Sequence, residues 1–179
     1  RTSIRARQIG GLDMLLGDKC IFAVECEIQN RFDSFVYCTF RFWIKGDPVG
    51  DWDEEVVLGV IVNAAHVFLR YENDRRLDNI DCSSSVLAWA RINQISNSDD
   101  PEELRLSLER QYRQRYLLHE IADESVAPIA QVIVIDCSDG SQRILWKMRE
   151  GIVIHEVVAP SLTVDRVLEL FVQWAENRV

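Results

Sequence analysis

The sequence predicts an α+β domain: a largely antiparallel sheet built from N-terminal and C-terminal strands, with helices in the middle and at the C-terminus. Three observations carry this. Apolar residues alternate with period two over Ile21–Ile28 and Phe35–Ile44 near the start. Apolar strand-like runs return over Gln131–Asp136, Arg143–Lys147 and Ile152–Val158 near the end. Between and after these runs the apolar spacing changes to three and four, so the order is strands, helices, strands, helix. With 179 residues, 47% of them apolar, the chain is long enough for one domain with its own core.

The elements follow in order. In Ile21–Ile28, Phe22, Val24, Cys26 and Ile28 face one way, and Ala23, Glu25 and Glu27 the other. A polar break, Gln29–Ser34, leads into Phe35–Ile44, where Val36, Cys38, Phe40, Phe42 and Ile44 share a face. Aromatic residues there raise the strand propensity, and the two runs read as an antiparallel pair. Lys45-Gly46-Asp47-Pro48 is a turn, with Val49–Trp52 returning as a short strand. A further strand is expected near 55–59, followed by a helix over about 61–73 on Ile61, Ala64, Ala65 and Phe68.

Ser83–Ser85 can cap a helix carrying Val86, Leu87, Ala90 and Ile95. After the polar loop Asn97–Pro101, Glu102 and Glu103 suit a helix N-terminus. Leu104, Leu108, Tyr112 and Tyr116 then form a stripe. Asp139-Gly140 is a hairpin-turn dipeptide between the next two strands. Beyond Pro160, Val164, Val167, Leu168, Phe171, Trp174 and Ala175 mark one apolar side of a final helix.

Residues 14–179 read as a single domain, and 1–13, with Arg1, Arg5 and Arg7, as an extension or tag. No segment reaches the about 20 apolar residues of a membrane span, and nothing reads as a signal peptide, so a cytoplasmic location is expected. Five cysteines, Cys20, Cys26, Cys38, Cys82 and Cys137, form no metal-binding spacing and fit free thiols in a reducing compartment.

Charge excludes more than it identifies. The formal net charge is −9, which argues against direct binding to nucleic acid or an anionic membrane, since those surfaces are recognised through Lys and Arg. It suits a basic partner. Phosphate-binding glycine loops and a nucleophile elbow are absent from the sequence. His119-Glu120 and His155-Glu156 lack the second histidine of a zincin, and His66 stands apart from both. No catalytic, cofactor or metal residues are assigned. One group stands out: Asp47, Asp51, Asp53, Glu54 and Glu55 crowd around Trp52. As a candidate partner-binding site, Trp52 is the aromatic anchor, and the carboxylates attract a basic surface. The alternative for the same residues is a solvated turn with Trp52 in the core.

The stretch Cys20–Asp53 resembles the immunity proteins of bacterial polymorphic-toxin systems, most closely the immunity protein 42 family. The likeness lies in the strand Ile21–Ile28, the aromatic strand ending Phe42-Trp43-Ile44-Lys45-Gly46, and Gly50-Asp51-Trp52. It continues in the hairpin Asp136–Trp146 and the strand Ile152–Glu156, whereas residues 75–125 follow no pattern of the family. The resemblance implies a cytosolic, non-catalytic and cofactor-free inhibitor of a cognate toxin C-terminal domain, of the kind exchanged in contact-dependent growth inhibition. From charge comes the further expectation of a basic, nuclease-like toxin held by stoichiometric occlusion. The alternative function is a non-catalytic acidic adaptor binding a host protein. Oligomeric state is left open by the sequence.

Overall fold

The structure is a computed structural model describing residues 13–72, 74–76, 83–93 and 111–179. Its strands form two antiparallel sheets, so the α+β antiparallel class holds, with the N-terminal and C-terminal strands gathered separately. The first sheet contains β1 (Asp13–Asp18), β2 (Phe22–Phe32), β3 (Phe35–Ile44), β4 (Asp47–Val49) and β5 (Glu55–Val57). Its order is β1-β2-β3, with β4 and β5 both on the far edge of β3. β4 pairs with Phe42–Ile44, and β5 with Tyr37–Thr39. The second sheet is β6 (Ala130–Asp136), β7 (Gln142–Met148) and β8 (His155–Ala159), in that order.

The helices are α1 (Leu58–Leu69), α2 (Ser85–Asn93), α3 (described over 111–116) and α4 (Thr163–Glu176), with a 3-10 turn at Leu118–Ala122. The even-numbered residues of β3, from Val36 to Ile44, are buried with Phe22, Val24 and Cys26 of β2 in one core. That core also holds Leu58, Ile61, Ala65 and Phe68 of α1 and the Val164–Ala175 stripe of α4. Phe40 sits at its centre, 5.2 Å from Phe42 and 5.4 Å from Phe171, ring to ring.

The second sheet is covered on both faces, which is why Val132–Ile135 is uninterruptedly apolar. Val132, Val134, Ile144 and Trp146 join the main core. Ile133, Ile135 and Leu145 pack with Ala88 and Ile92 of α2 and with Tyr116. α2 is capped as expected, with the Leu87 N–H donating to Ser84 Oγ. Its buried side differs from the expected one: Ala88 and Ile92 are inside, while Val86 and Leu87 are exposed. Ile95 and Cys82, like Leu104 and Leu108, lie outside the described residues.

A buried polar cluster ties these layers together. Arg75, fully buried, donates from Nη1 to Asp165 Oδ1 at 2.6 Å, from Nη2 to the Phe68 carbonyl and from Nε to the Arg115 carbonyl. The Gln142 amide donates to both Asp136 and Asp165 and accepts the Val164 N–H. One guanidinium and one amide thus join α1, α3, α4, β6 and β7. Nothing in the sequence marked Arg75 as internal, because one of two adjacent arginines, Arg75-Arg76, in a polar stretch looks solvated.

Boundaries differ from expectation at α1, which spans Leu58–Leu69 and not 61–73, at β8, which starts at His155 and not at Ile152, and in three further places. β1 is an added edge strand that pairs with β2 from Asp13↔Glu27 to Asp18↔Phe22. The β3–β4 turn closes on two residues, Lys45 (φ 55°) and Gly46 (φ 90°), the signature of a type I′ hairpin. Asp47 and Pro48 therefore belong to β4, where an edge position suits a residue without an N–H. The loop between β6 and β7 is longer than two residues: it runs over Cys137–Ser141, with Asp139 accepting from both the Ser141 N–H and Oγ.

Candidate functional site: an acidic loop on the edge of a sheet

β4 leaves β3 at Val49, and β5 rejoins it at Glu55, so Gly50–Glu54 must arch away from the sheet edge beside Arg41. Gly50 makes the departure sterically feasible. Its φ is +137°, and an added Cβ would lie 3.0 Å from Arg41 Cβ and 3.2 Å from Val126 Cγ2. The Asp51 N–H then donates to the Ser125 carbonyl at 2.8 Å, fixing the loop to the segment after the 3-10 turn. The Asp53 N–H donates to Asp51 Oδ1 at 2.9 Å, closing a tight local turn.

Of the predicted group, Asp51, Asp53 and Glu54 lie on this arch with Trp52, Glu55 opens β5 at its end, and Asp47 stands apart at the start of β4, opposite Ile44. Asp47, Asp51, Asp53, Glu54 and Glu55 are all exposed. Glu55 alone has a cross-strand tie, accepting from Asn30 Nδ2 at 3.1 Å. The acidic character extends to residues not singled out from sequence. Asp123 and Glu124, next to Ser125, are exposed; with Glu120 they rim a shallow cavity of about 150 Å³ whose apolar lining includes Val56, Val60 and Ile121. Only the fold places this second acidic segment beside the first.

Trp52 is half-buried, with the Arg41 guanidinium 4.2 Å from its ring centroid. Arg41 belongs to a layered cluster on the outer face of the first sheet. Its Nε donates to Glu25 Oε2 at 2.7 Å, and Trp43 Nε1 donates to the same oxygen at 2.7 Å. Lys19 Nζ reaches Glu25 at 3.4 Å and lies 3.6 Å from the Trp43 ring centroid. Partial burial acts to raise the Glu25 carboxyl, but the bonds from Trp43 and Arg41 and the charges of Arg41 and Lys19 outweigh it and hold it below the ordinary carboxylate range. Trp52 is therefore the last plate of a cation–aromatic stack, half in contact with the sheet and half open.

The histidines each have their own partner. His66 meets Glu176 at 2.8 Å, His155 stacks on Trp146, and His119 is buried with Nδ1 3.1 Å from the Val132 backbone. Buried in the 3-10 turn, His119 is an internal residue. Cys26, Cys38 and Cys137 are buried, and Cys20 is exposed. Among the described residues no group of three His, Cys, Asp or Glu is placed to hold a metal ion, and no helix is long and apolar enough to cross a membrane.

Comparison with known proteins adds a single finding. The sequence profile of the family described as Immunity protein 42 matches residues 14–174, nearly the whole chain, and the chain belongs to that family. No curated protein and no solved structure matches it.

Proposed function

We propose that this immunity protein neutralises a cognate toxin C-terminal domain in the cytoplasm by binding it one to one and covering its working surface, without catalysis or a cofactor. Membership of the immunity protein 42 family over residues 14–174 carries the reading. The surface it uses is the acidic arch, Asp47, Asp51, Asp53, Glu54 and Glu55, with Trp52 contributing aromatic contact area. Five exposed carboxylates on the arch and the two short strands that flank it, with Asp123 and Glu124 beside the arch, favour a basic partner. A nuclease domain has such a surface, because it must attract phosphates.

The test is co-expression. The C-terminal domain of the secreted protein encoded beside this gene is induced in a bacterial host with and without the full chain. Restored growth and a one-to-one complex on size-exclusion chromatography support the proposal. Continued killing by a toxin of demonstrated activity refutes it. Within the complex, Trp52→Ala should mainly raise the dissociation rate, because it removes contact area at short range.

A further inference from the structure

The β2–β3 hairpin runs past the body of the domain. Burial on β3 starts at Val36, and Gln29–Phe35 are all exposed. A bulge between Ile28 and Asn30 shifts the register there. Before it, the even residues of β2 face the core. After it, Asn30 and Phe32 pair with Tyr37 and Phe35 and share the outer face of the sheet with them. The extra residue thus re-aims Phe32 from the core side to the outer side, which is what a bulge can do that a regular strand cannot.

At the tip, Phe32 is Cα partner to Phe35 across the turn Asp33-Ser34, with Asp33 at φ 51°. As Cα partners the two side chains project from the same face, exposed to 66% and 52%. Among the described residues no other element covers them. Folding alone gives no reason to place two phenylalanines at a projecting tip.

The occupant can be argued from the surroundings. Glu55 stands opposite Thr39 in register, on the same outer face as Phe35 and about 13 Å from it along the strand. Asn30 on the hairpin donates to that Glu55. Finger and acidic arch therefore form one surface, with aromatic anchors at one end and carboxylates at the other. A second copy fits poorly. Tip-to-tip contact covers only four rings, far below the about 1,000 Å² of a stable interface, and broader pairing of the two faces would set acidic arch against acidic arch.

We propose that Phe32 and Phe35 form a finger that inserts into an apolar pocket on the toxin domain, a pocket bordered by the Lys and Arg side chains that meet the arch. This rests on the toxin-binding reading above and assigns it two anchors. The arch sets the rate of encounter, and the finger sets the lifetime of the complex.

The experiment measures association and dissociation rates with the same toxin domain for the full chain, for Phe32→Ser/Phe35→Ser, and for Phe32→Tyr/Phe35→Tyr, with sedimentation of each variant alone. The serine pair should dissociate about 100-fold faster or more, with association nearly unchanged. The tyrosine pair should hold, and melting temperatures should barely move, because both rings are exposed. Dissociation of the serine pair within threefold of wild type overturns the finger and leaves the immunity reading standing. So does self-association of the wild-type chain that the serine pair abolishes while toxin binding persists. No binding by the wild-type chain overturns both.

Discussion

Arg75→Met probes the deepest feature of the fold. Arg75 is 0% exposed and Asp165 1%, and their 2.6 Å contact leaves the guanidinium no water. Methionine fills the aliphatic volume but removes the charge and three donors. Asp165 keeps only the Gln142 amide, and the Phe68 and Arg115 carbonyls lose their Arg75 bonds. Removing one partner of a buried ion pair costs about 3–5 kcal/mol, because the remaining charge is desolvated without compensation. For a chain of this size, at about 2–4 °C per kcal/mol, a loss near 4 kcal/mol lowers the melting temperature by about 8–16 °C. Urea unfolding followed by tryptophan fluorescence measures it directly. Adding Asp165→Asn removes the stranded charge and should regain roughly 2 kcal/mol, a coupling far outside simple additivity. A cost below about 1 kcal/mol for Arg75→Met, or a double variant whose losses add, would show that the cluster tolerates water and is not a keystone.

Three further expectations follow from particular contacts. Gly50→Ala must hold alanine at φ +137° with Cβ 3.0 Å from Arg41 Cβ, whereas Gly46→Ala at φ +90° meets nothing within 4 Å. The first should cost about 1–3 kcal/mol more than the second, and equal urea midpoints would contradict the close approach. Burial pushes the His119 imidazole below the usual histidine range, outweighing the Val132 bond and the Glu120 charge that act to raise it. The unfolded chain therefore takes up this proton first as pH falls. The stability His119 contributes is complete above about pH 6.5 and is lost below it, toward the depressed native value. His119→Gln should shrink the drop in urea midpoint between pH 7.5 and 5.5, and identical drops in the two proteins would rule that out. Asp53→Lys with Glu54→Lys should lower toxin association on the order of 10-fold at low salt and little at 0.5 M. A salt-independent loss would point to direct contact instead of steering.

What the sequence disclosed depended on the range of the physics involved. β3 was legible to the residue, Phe35–Ile44, because alternation with a buried face is a local property of the chain. The α4 stripe was legible for the same reason at helical spacing. β1 was missed because an edge strand owes its conformation to β2, and Met14–Asp18 has no alternation strong enough to announce it. The α2 face was misassigned because the two-sided burial of the second sheet selects Ala88 and Ile92 over the equally apolar Val86 and Leu87. In the site, the carboxylates of the Asp47–Glu55 segment were visible as a cluster. Their neighbours Asp123 and Glu124 were not, since a backbone bond between Asp51 and Ser125 is invisible in composition. Phe32 was read as part of the polar break Gln29–Ser34 and Phe35 as the start of the next strand, because only the bulge at Ile28/Asn30 reveals which way Phe32 points.

Under the proposed function, β3 joins the stability of this domain to its recognition while keeping the two apart. Its even side chains, Val36 to Ile44, form the core with α1 and α4. Its odd side chains, Phe35, Tyr37, Arg41 and Trp43, face outward, and its far edge is divided between β4 and β5 with the acidic arch between them. Because strand side chains alternate strictly, an odd position can change without altering core volume. The arch adds a second independence: it is attached through backbone atoms at Gly50 and at the Asp51–Ser125 bond, so the side chains of Asp53 and Glu54 can change without breaking either tie. An inhibitor matched to one toxin needs this separation, since a new partner demands new surface chemistry on an unchanged scaffold. The physical consequence is that substitutions at Phe35, and charge reversal at Asp53 with Glu54 at low salt, should alter binding by about 10-fold or more while shifting stability by less than about 1 kcal/mol. Substitutions at Phe40 or Arg75 should do the reverse.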